Sequence, residues 1–451
     1  MIGRRSKIKM AQLVGTCVIV PGRSSPLPLE HARAHGVPQA LIALAQAPPN
    51  VPVPDALNFD DRLMPHQRDG ARQVIKMGGR CLVADEMGLG KTCLALAVAK
   101  YYGESVLVIC PAYLQRNWEA EALHWLDQCV SVTIMSYEVA ARRANEHSFT
   151  TIICDEAHYL KNHRSKRCEM LTPLLHRTKR VLLLTGSPCQ VPVELFALVR
   201  ILRPQFAGSY DDWARRYCAR RPGRYVGFDD SGISRSKELS WLLRCAIMVR
   251  RTKQELDFKL PSKTRHWLTL ELPKHERVAQ EELFEQLEDA RTEQQKNSIM
   301  SKMLQHTCDA KLQCASAMVL PGRAVYFAQH LRMLDALEEH VPQCARIDGS
   351  MSTKRRHDVI AAFERGEHQA LVLSLAACAT GITLVSCCTV VFCELHWSSS
   401  VLAQAEDRVH RIGQKHPVNV HYWLAEGTID ELIVNSVYRK QGNAKKILMI
   451  R

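Results

Sequence analysis

The sequence predicts an α/β protein with two lobes, each built on a parallel sheet that helices cover on both faces. Short apolar, β-branched runs alternate with helical stretches from about residue 60, as they do in βαβ units. This alternation occurs twice, before about residue 203 and again from about residue 324. The chain has 451 residues, of which 46 % are hydrophobic. That size and composition suit several folded domains and exclude a mostly disordered chain or a small disulfide scaffold.

The predicted elements follow in chain order. Residues 1–55 are rich in proline and are expected to form a partly ordered leader, with a short buried strand in 11–20 and a helix over Val37–Ala47. Lobe 1 is placed at 56–205, helical insertions and a linker at 206–320, lobe 2 at 321–440 and a basic tail at 441–451. Within the insertions, Glu276–Leu304 has apolar residues at helical spacing among mixed charges, which predicts a solvent-facing helix or helical pair. The strands are predicted at Cys81–Ala84, Val106–Cys110, Val132–Met135, Ile152–Cys154 and Val181–Leu184 in lobe 1, and at Val325–Ala328, Ala345–Asp348, Ala370–Leu375, Val390–Cys393 and Asn419–Trp423 in lobe 2.

Charge and cysteine content narrow the class of protein. The formal net charge at pH 7 is +14. This positive charge favours a polyanionic partner, such as nucleic acid or an anionic membrane. The alternative is that the charge only keeps the protein soluble. The 17 cysteines include no C-x-x-C pair, so we expect no zinc site, and many sit in apolar runs as core thiols of an intracellular protein. The uncharged run Leu371–Cys393 is long enough to cross a bilayer. Its polar residues and β-branched ends favour strand–loop–strand instead, so no membrane association is expected.

The first chemical motif is a glycine-rich turn between a predicted strand and a predicted helix, Asp85-Glu-Met-Gly-Leu-Gly-Lys-Thr92. Such a turn points backbone N–H groups and a helix N-terminus at phosphate. Lys91 is expected to reach the β- and γ-phosphates of ATP, and the Thr92 hydroxyl suits Mg²⁺. The general P-loop pattern has glycine where Asp85 stands, so it is only partly met. The predicted nucleotide-binding residues are Gln67, Asp85, Glu86, Met87, Gly88, Leu89, Gly90, Lys91 and Thr92.

Two further motifs carry charge at positions typical of a nucleotide hydrolase. Asp155 and Glu156 end the predicted strand over Thr151–Cys154, at the sheet edge where ligands of parallel sheets bind. We expect Asp155 to hold Mg²⁺ through water and Glu156 to polarise the attacking water. In the second lobe, Arg408 and Arg411 are three residues apart on one helix face and are candidates to stabilise charge on the γ-phosphate.

In their order along the chain, these motifs resemble those of the Swi/Snf-type ATPases of helicase superfamily two. The Gln404–Gln414 block is among the most specific signatures of that family, and the resemblance covers about 60–440. Its nearest branch looks like the HepA-related, SMARCA-like annealing helicases. The stretches that carry the resemblance are Leu63–Gln67, Asp85–Thr92, Val108–Ala112 with Asn117 and Trp118, Asp155–Asn162, Leu184–Pro188, Met248–Lys253, Val325–His330, Ile347–Ser350, Ala379–Leu384, Phe392–Trp397 and Gln404–Gln414.

The resemblance implies two RecA-like lobes and a role for each matching residue. Gln67 would contact adenine, and Arg408 and Arg411 would be arginine fingers. Thr185, Gly186 and Ser187 would couple hydrolysis to lobe motion. Residues 1–54 show no clear copy of that branch's accessory DNA-binding repeat, so a minimal translocase is expected.

The basic surplus concentrates in 203–224, in 235–265 and in the last 15 residues. Clusters of this kind contact DNA phosphates without reading bases. The candidate DNA contacts are Arg250, Arg251 and Lys253, with Arg215 and Arg216 next. Aromatic residues are only 6 % of the chain, which disfavours stacking on single-stranded bases and favours a duplex partner.

The sequence is therefore interpreted as a monomeric, ATP-dependent DNA translocase. With Mg²⁺ and ATP it is expected to remodel or reanneal double-stranded or branched DNA. A strand-separating helicase is the alternative within the enzyme class. A nucleic-acid-binding scaffold with a vestigial ATP site is the alternative outside it. The expected compartment is the nucleus in a eukaryote, or otherwise the cytoplasm or a viral replication compartment.

Overall fold

The computed structural model describes residues 61–448 apart from 104, 127–129, 144–147, 223–227, 257–259 and 377–381, and three short strands before them. Where the sequence predicts one strand within 11–20, the structure has two short antiparallel strands, and a third pairs with the second. The helix predicted over Val37–Ala47 lies outside the described residues. The three strands are β1 (Gln12–Val14), β2 (Cys17–Ile19) and β3 (Leu27–Pro28).

The chain divides into two compact units. Unit 1 comprises Met1–Leu256 and Asn443–Arg451, and unit 2 comprises Asp257–Gly442. The division falls inside the segment 206–320 that the sequence analysis sets apart as insertions and linker. The first part of that segment therefore folds with the first sheet and the later part with the second.

Unit 1 is built on a six-stranded parallel sheet in the order β11-β4-β8-β7-β5-β6. Alternate residues of its strands enter two different apolar clusters, Leu107 and Ile109 on one face and Val106 and Val108 on the other. Both faces are therefore buried, which explains the unbroken apolar runs in the sequence. The strands are β4 (Arg80–Val83), β5 (Val106–Cys110), β6 (Val132–Ser136), β7 (Thr151–Cys154), β8 (Arg180–Leu184) and β11 (Met248–Val249), with a separate hairpin of β9 (Arg221–Pro222) and β10 (Phe228–Asp229).

Helices cover both faces of this sheet. Pro65 occupies the first turn of α1, where a missing N–H costs nothing. Ser165 and Ser209 cap α5 and α8 through side-chain acceptance of a backbone N–H. The helices are α1 (Pro65–Lys76), α2 (Lys91–Tyr102), α3 (Gln115–Trp125), α4 (Tyr137–Arg143), α5 (Lys166–Arg177), α6 (Pro192–Leu202), α7 (Pro204–Ala207), α8 (Tyr210–Tyr217) and α9 (Ser236–Ala246), with short 3₁₀ turns at Ala112–Leu114 and Ala157–Leu160.

Unit 2 repeats the plan with a second six-stranded parallel sheet in the order β12-β17-β16-β13-β15-β14. Phe327, Phe392 and Tyr422 stack on neighbouring strands in its core. The uncharged run Leu371–Cys393 contains most of β15 and all of β16, so a strand lies near each of its ends, as predicted. The strands are β12 (Lys263–Leu270), β13 (Ala324–Ala328), β14 (Cys344–Ile347), β15 (Ala370–Ser374), β16 (Thr389–Phe392) and β17 (Val418–Ala425).

The helices of unit 2 include the predicted helical pair. Thr292 forms a capping box with Gln295 at the start of its second member. The last helix of the chain extends through most of the segment predicted as a tail. The helices are α10 (Lys274–Asp289), α11 (Glu293–Leu312), α12 (Leu331–His340), α13 (Thr353–Arg365), α14 (Ser399–Val409) and α15 (Ile429–Leu448), with a 3₁₀ turn at Ala315–Met318.

The described part of the chain contains no helix with the length and apolar character that a bilayer crossing requires. Cys81, Cys110, Cys154 and Cys393 are free thiols with fully buried side chains. They are core residues, as the sequence predicts. The two parallel sheets confirm the predicted fold class.

Candidate functional site

The glycine-rich loop joins β4 to α2, as predicted, and its lysine folds back onto it. Lys91 Nζ donates to the carbonyl oxygens of Asp85 at 3.0 Å and of Glu86 at 3.4 Å. Burial lowers the pKa of Lys91, while Glu156, Asp85 and Asp155 act to raise it. Gly90 has φ = +75°, where a side chain is strained. The lysine is thus held over the loop with three carboxylates around it.

Gln67 lies against this loop. Its amide Nε2 donates to Leu89 O at 3.3 Å and its Oε1 accepts the Met64 N–H at 2.9 Å. The same amide occupies the space that a Cβ on Gly90 would need, so the loop requires glycine there for two reasons. His66 Nε2 also bonds Leu89 O, at 3.0 Å, a contact that the sequence analysis missed. A buried polar pair thus supports the loop from α1, and contact of Gln67 with adenine stays a prediction.

Asp155 follows β7 directly and its carboxylate is held by two donors. Trp118 Nε1 donates to Oδ2 at 2.8 Å and the Glu156 N–H donates to Oδ1 at 2.9 Å. The Tyr137 hydroxyl donates to the backbone carbonyl of Asp155 at 2.8 Å. Burial, and next the charge of Glu156, raise the pKa of Asp155 to about 6, against the lowering effect of the Trp118 bond. Trp118 belongs to a stretch that carries the family resemblance, but no role was assigned to it.

Glu156 adopts a left-handed backbone conformation, with φ = +50° and ψ = +50°. Its Oε2 lies 3.1 Å from His158 Nδ1, and its side chain is 18 % exposed. Glu156 thus places a second, partly exposed carboxylate directly after Asp155, and its role as a water-activating base stays a prediction.

Thr185, Gly186 and Ser187 follow β8, the neighbour of β4 and β7 in the sheet. The Thr185 hydroxyl accepts the Ser187 N–H at 3.2 Å, which forms a tight turn. A Cβ on Gly186 would collide with the Met87 side chain and lie 3.5 Å from Lys91 Nζ. The structure therefore brings the turn against the glycine-rich loop, and its role in coupling stays a prediction.

Arg250, Arg251 and Lys253, the first candidates for DNA contact, lie against the start of the glycine-rich loop. Arg250 Nη1 donates to Ala84 O at 2.5 Å, and burial lowers its pKa. Arg251 is 12 % exposed and binds the Asp85 carboxylate with two groups, Nε to Oδ1 at 3.0 Å and Nη2 to Oδ2 at 2.5 Å. Lys253 is 7 % exposed. The sequence shows these charges but not their burial, and their surroundings are the start of the glycine-rich loop.

The other two candidates differ from each other. Arg215 is 67 % exposed and lies 3.9 Å from Asp211 on the same helix. Arg216 is 24 % exposed and donates to Glu238 through Nε at 2.8 Å and Nη2 at 2.6 Å. Arg215 is therefore available to a phosphate, whereas Arg216 serves the packing of α8 on α9.

Arg408 lies in the last turn of α14 in unit 2, and Arg411 follows the helix, which ends at Val409. The prediction that both arginines lie on one helix face is therefore wrong, because the helix stops before Arg411. Arg411 Nη1 donates to the Thr383 hydroxyl at 2.7 Å, and burial, with the charge of Arg408 next, lowers its pKa. The Leu384 N–H donates to the Arg408 carbonyl at 2.9 Å. Thr383 and Leu384 end the Ala379–Leu384 motif, whose first three residues lie outside the described residues. Two motifs that are far apart in sequence therefore meet at this corner.

A cluster of Cys308, His330 and Glu394 in unit 2 has ligand atoms within 4.8 Å of one another. The Glu394 carboxylate accepts the N–H groups of Gln329 at 2.7 Å and His330 at 2.9 Å, and lies 2.5 Å from His330 Nδ1. Hydrogen bonds therefore engage this carboxylate fully. The expectation that the chain holds no zinc stays a prediction.

Two parallel sheets, a Lys-bearing glycine loop after β4 and an acidic pair after β7 in the same sheet define the class of P-loop nucleotide hydrolases with two α/β units. Within that class, the SNF2-related domain matches residues 66–138 and 127–318, and the helicase conserved C-terminal domain matches residues 310–413. The chain belongs to the SNF2-related family. Nucleotide use is a property of that family.

The similar proteins are longer. The "DNA annealing helicase and endonuclease ZRANB3" of Bos taurus is 33 % identical over 437 residues, which are 86 % of this chain and 40 % of that protein. The "SWI/SNF-related matrix-associated actin-dependent regulator of chromatin subfamily A-like protein 1" of Xenopus laevis is 35 % identical over 417 residues, 84 % of this chain and 43 % of that protein. The chain spans about two fifths of the length of these two relatives.

Among solved structures, the Sulfolobus solfataricus SWI2/SNF2 ATPase core in complex with dsDNA matches with 23 % identity and a TM-score of 0.42. The match covers 87 % of this chain and 98 % of that one.

Proposed function

We propose that the chain is a Mg²⁺-dependent ATPase that translocates on DNA and remodels or reanneals double-stranded or branched DNA. The observation that carries the proposal is the position of Lys91, Asp155 and Glu156 just past the carboxyl ends of β4 and β7, two strands of one parallel sheet that flank β8. Family membership supports the reaction, and the printed names of the relatives, which include annealing helicases, support DNA as the partner. A monomer and a nuclear location in a eukaryote remain parts of the same proposal.

Different residues of unit 1 would contact the adenine, the phosphates and the Mg²⁺ of the nucleotide. Gln67 would contact the adenine, and the N–H groups of 86–92 with Lys91 would hold the phosphates. Thr92 and Asp155 would hold Mg²⁺, which neutralises phosphate charge when bound. Asp155 fits that role because its carboxylate lies beside a second one and burial raises its pKa, a destabilisation that a divalent cation relieves.

Hydrolysis itself would rest on Glu156 and two arginines. Glu156 would orient a water and accept its proton. Arg408 and Arg411 would stabilise the charge that develops on the γ-phosphate. Thr185, Gly186 and Ser187 would pass the state of the phosphates to the rest of the protein, since Gly186 packs against the loop that carries Lys91.

The test is ATP hydrolysis by the full chain, titrated with duplex, single-stranded and forked DNA. We expect DNA to stimulate turnover, and Lys91→Ala and Glu156→Gln to abolish it. Lys76→Ala and Glu119→Gln, at exposed positions of unit 1, are the matched controls and should retain wild-type turnover. Equal turnover with and without DNA would refute translocation.

Two other outcomes identify the rival functions. Fork unwinding without annealing activity would indicate a strand-separating helicase. DNA binding with no hydrolysis under any condition would indicate a scaffold with a vestigial ATP site. An annealing assay on complementary strands run beside the unwinding assay separates the first rival from the proposal.

A further inference from the structure

The chain that runs from one unit to the next contacts a predicted nucleotide motif at each of its two ends, the glycine-rich loop in unit 1 and the Arg408 helix in unit 2. We call residues 249–253 the proximal anchor and residues 261–265 the distal anchor. The proximal anchor lies in unit 1 and the distal anchor in unit 2. Neither was assigned a role in nucleotide chemistry by the sequence analysis.

The proximal anchor runs alongside the first residues of the glycine-rich loop. Backbone bonds join Ala84 N to Val249 O at 2.7 Å and Glu86 N to Arg251 O at 2.9 Å. In the other direction, the Arg251 N–H donates to Asp85 Oδ1 at 2.9 Å and the Lys253 N–H donates to Glu86 Oε2 at 2.8 Å. The anchor thus extends the sheet past β4 and into the loop.

Arg251 makes this contact specific to the loop. Its guanidinium binds both oxygens of Asp85, which is 1 % exposed, and also donates to the backbone carbonyl of His66 beside Gln67. Asp85 stands where the general P-loop pattern has glycine. A buried carboxylate at that position would repel phosphate, and the paired guanidinium neutralises it. One side chain therefore ties together the loop and the helix start that carries Gln67.

The distal anchor contacts α14, the helix that carries Arg408. Arg265 donates to Glu406 through Nε to Oε1 and Nη2 to Oε2, both at 2.6 Å. Lys263 Nζ lies 2.8 Å from the same carboxylate, and the Tyr422 hydroxyl donates to it at 2.7 Å. Glu406 is 1 % exposed.

The surrounding cations strongly favour the ionised form of the Glu406 carboxyl group. Burial alone would raise the pKa of Glu406, but the Arg265 hydrogen bond and the Lys263 charge outweigh it and hold the pKa at about 2. The carboxylate is therefore charged at all working pH values and is held by two cations from one strand. A third contact, His410 Nε2 to Pro261 O at 2.8 Å, joins the anchor to the residue just before Arg411.

We propose that each anchor positions one motif of the proposed ATPase machinery, Arg251 by fixing the glycine-rich loop and Arg265 by fixing α14, which carries Arg408 and leads to Arg411. The inference rests on the proposed function, since it assigns Arg408 and Arg411 to ATP hydrolysis. Arg251 and Arg265 are positioning residues, because they act on nucleotide only through Asp85 and Glu406.

The two anchors predict different kinetic defects. Arg251→Gln leaves Asp85 charged inside the loop, so nucleotide binding weakens. Arg265→Gln loosens α14, so turnover falls while nucleotide affinity stays. Loss of a hydrogen-bonded charge pair of this kind corresponds to about 10–100-fold in the affected constant. Arg142→Gln on α4 and Arg365→Gln on α13 are exposed matched controls for units 1 and 2.

The experiment combines three measurements on the full chain: KM and kcat for ATP with saturating duplex, affinity for a fluorescent ADP analogue, and hydrogen exchange. We expect Arg251→Gln to weaken ADP binding and speed exchange in 84–92. We expect Arg265→Gln to lower kcat, leave ADP affinity within about twofold and speed exchange in 399–411. Tyr422→Phe keeps the ring and loses one bond to Glu406, so it should give a smaller change of the same kind if Arg265→Gln fails to fold.

Two results would overturn the proposal. In the first, Arg251→Gln and Arg265→Gln show the same kinetic constants and the same hydrogen-exchange rates as their control variants. The other is faster exchange spread evenly over the whole unit, which indicates a general loss of stability. If the wild-type chain shows no DNA-stimulated hydrolysis, the proposed function fails, while ADP binding and exchange still decide whether the anchors hold their targets.

Discussion

Replacing Trp118 by phenylalanine tests whether the indole keeps Asp155 ionised. The Nε1–H bond to Oδ2 is 2.8 Å long, and phenylalanine fills most of the same space without a donor. Hydrogen bonds to a charged group contribute about 1.5–3 kcal/mol, which corresponds to about 1–2 pKa units. Because Asp155 keeps some solvent contact, we expect the lower end, an upward shift of about 1 unit.

The sign of the effect on activity follows from the role of the carboxylate. Asp155 must be ionised to hold Mg²⁺, and its pKa is already raised by burial and by Glu156. Losing the indole bond raises that pKa further, so activity is lost at a higher pH than in the wild type. Trp118 is 1 % exposed, so the variant also loses about 1–3 kcal/mol of stability.

The assay is the pH–rate profile of DNA-stimulated ATP hydrolysis from pH 5 to 9 at fixed Mg²⁺. Trp125→Phe is the matched control, since Trp125 lies on the same helix and donates to Glu121 at 2.9 Å instead. We expect the loss of activity at acidic pH to begin at a higher pH in Trp118→Phe than in the wild type, and at the wild-type pH in Trp125→Phe. A lower rate at every pH with an unmoved acidic limb would refute the reasoning.

Three further changes have defined outcomes. Lys311→Met leaves the buried carboxylate of Asp430, 2.6 Å from Lys311 Nζ, without its cation, and should destabilise unit 2 by about 3–5 kcal/mol in urea unfolding followed by tryptophan fluorescence. Arg215→Ala should weaken duplex binding equally for all sequences and lower the slope of log K against log salt by about 1. Gly186→Ala should push the Met87 side chain into the phosphate-binding loop and lower kcat for ATP by about 10–100-fold with an unchanged melting temperature.

Each of these has its own control. Asp430→Asn and the double variant complete a thermodynamic cycle with Lys311→Met, and strict additivity would contradict direct pairing. Arg142→Ala removes an exposed positive charge elsewhere in unit 1, and an equal loss of DNA affinity would make the Arg215 effect a matter of net charge. Gly442→Ala adds a methyl group where nothing lies within 4 Å and should leave kcat unchanged.

The sheets were predictable because burial on both faces leaves continuous apolar runs in the sequence. β12 was missed for the opposite reason. Its residues Lys263 to His266 are polar and charged, since the strand lies at the edge of its sheet and is partly exposed. β11 has two residues, too few for any pattern, and its place is fixed by pairing with β4.

The candidate site was predictable where a motif fixes both the residue and its position on a strand end, as for Lys91, Asp155 and Glu156. The partner of Arg251 could not be predicted from the sequence. A run of basic residues has the same sequence pattern whether it faces solvent or binds a buried carboxylate. The carboxylate in this case belongs to Asp85, which precedes Arg251 by 166 residues. Only the fold shows that the two are partners, and the departure from glycine at Asp85 was the one available signal.

The left-handed backbone conformation of Glu156 lowers the thermal stability of the folded chain at a residue proposed to act in ATP hydrolysis. A non-glycine residue in that conformation costs about 1–2 kcal/mol, and asparagine tolerates it better than glutamate. Glu156→Asn should therefore give an inactive chain that melts at a higher temperature than the active one. Thermal stability and the proposed hydrolysis place opposite demands on this residue, so selection for thermal stability alone would favour replacement of the proposed catalytic base.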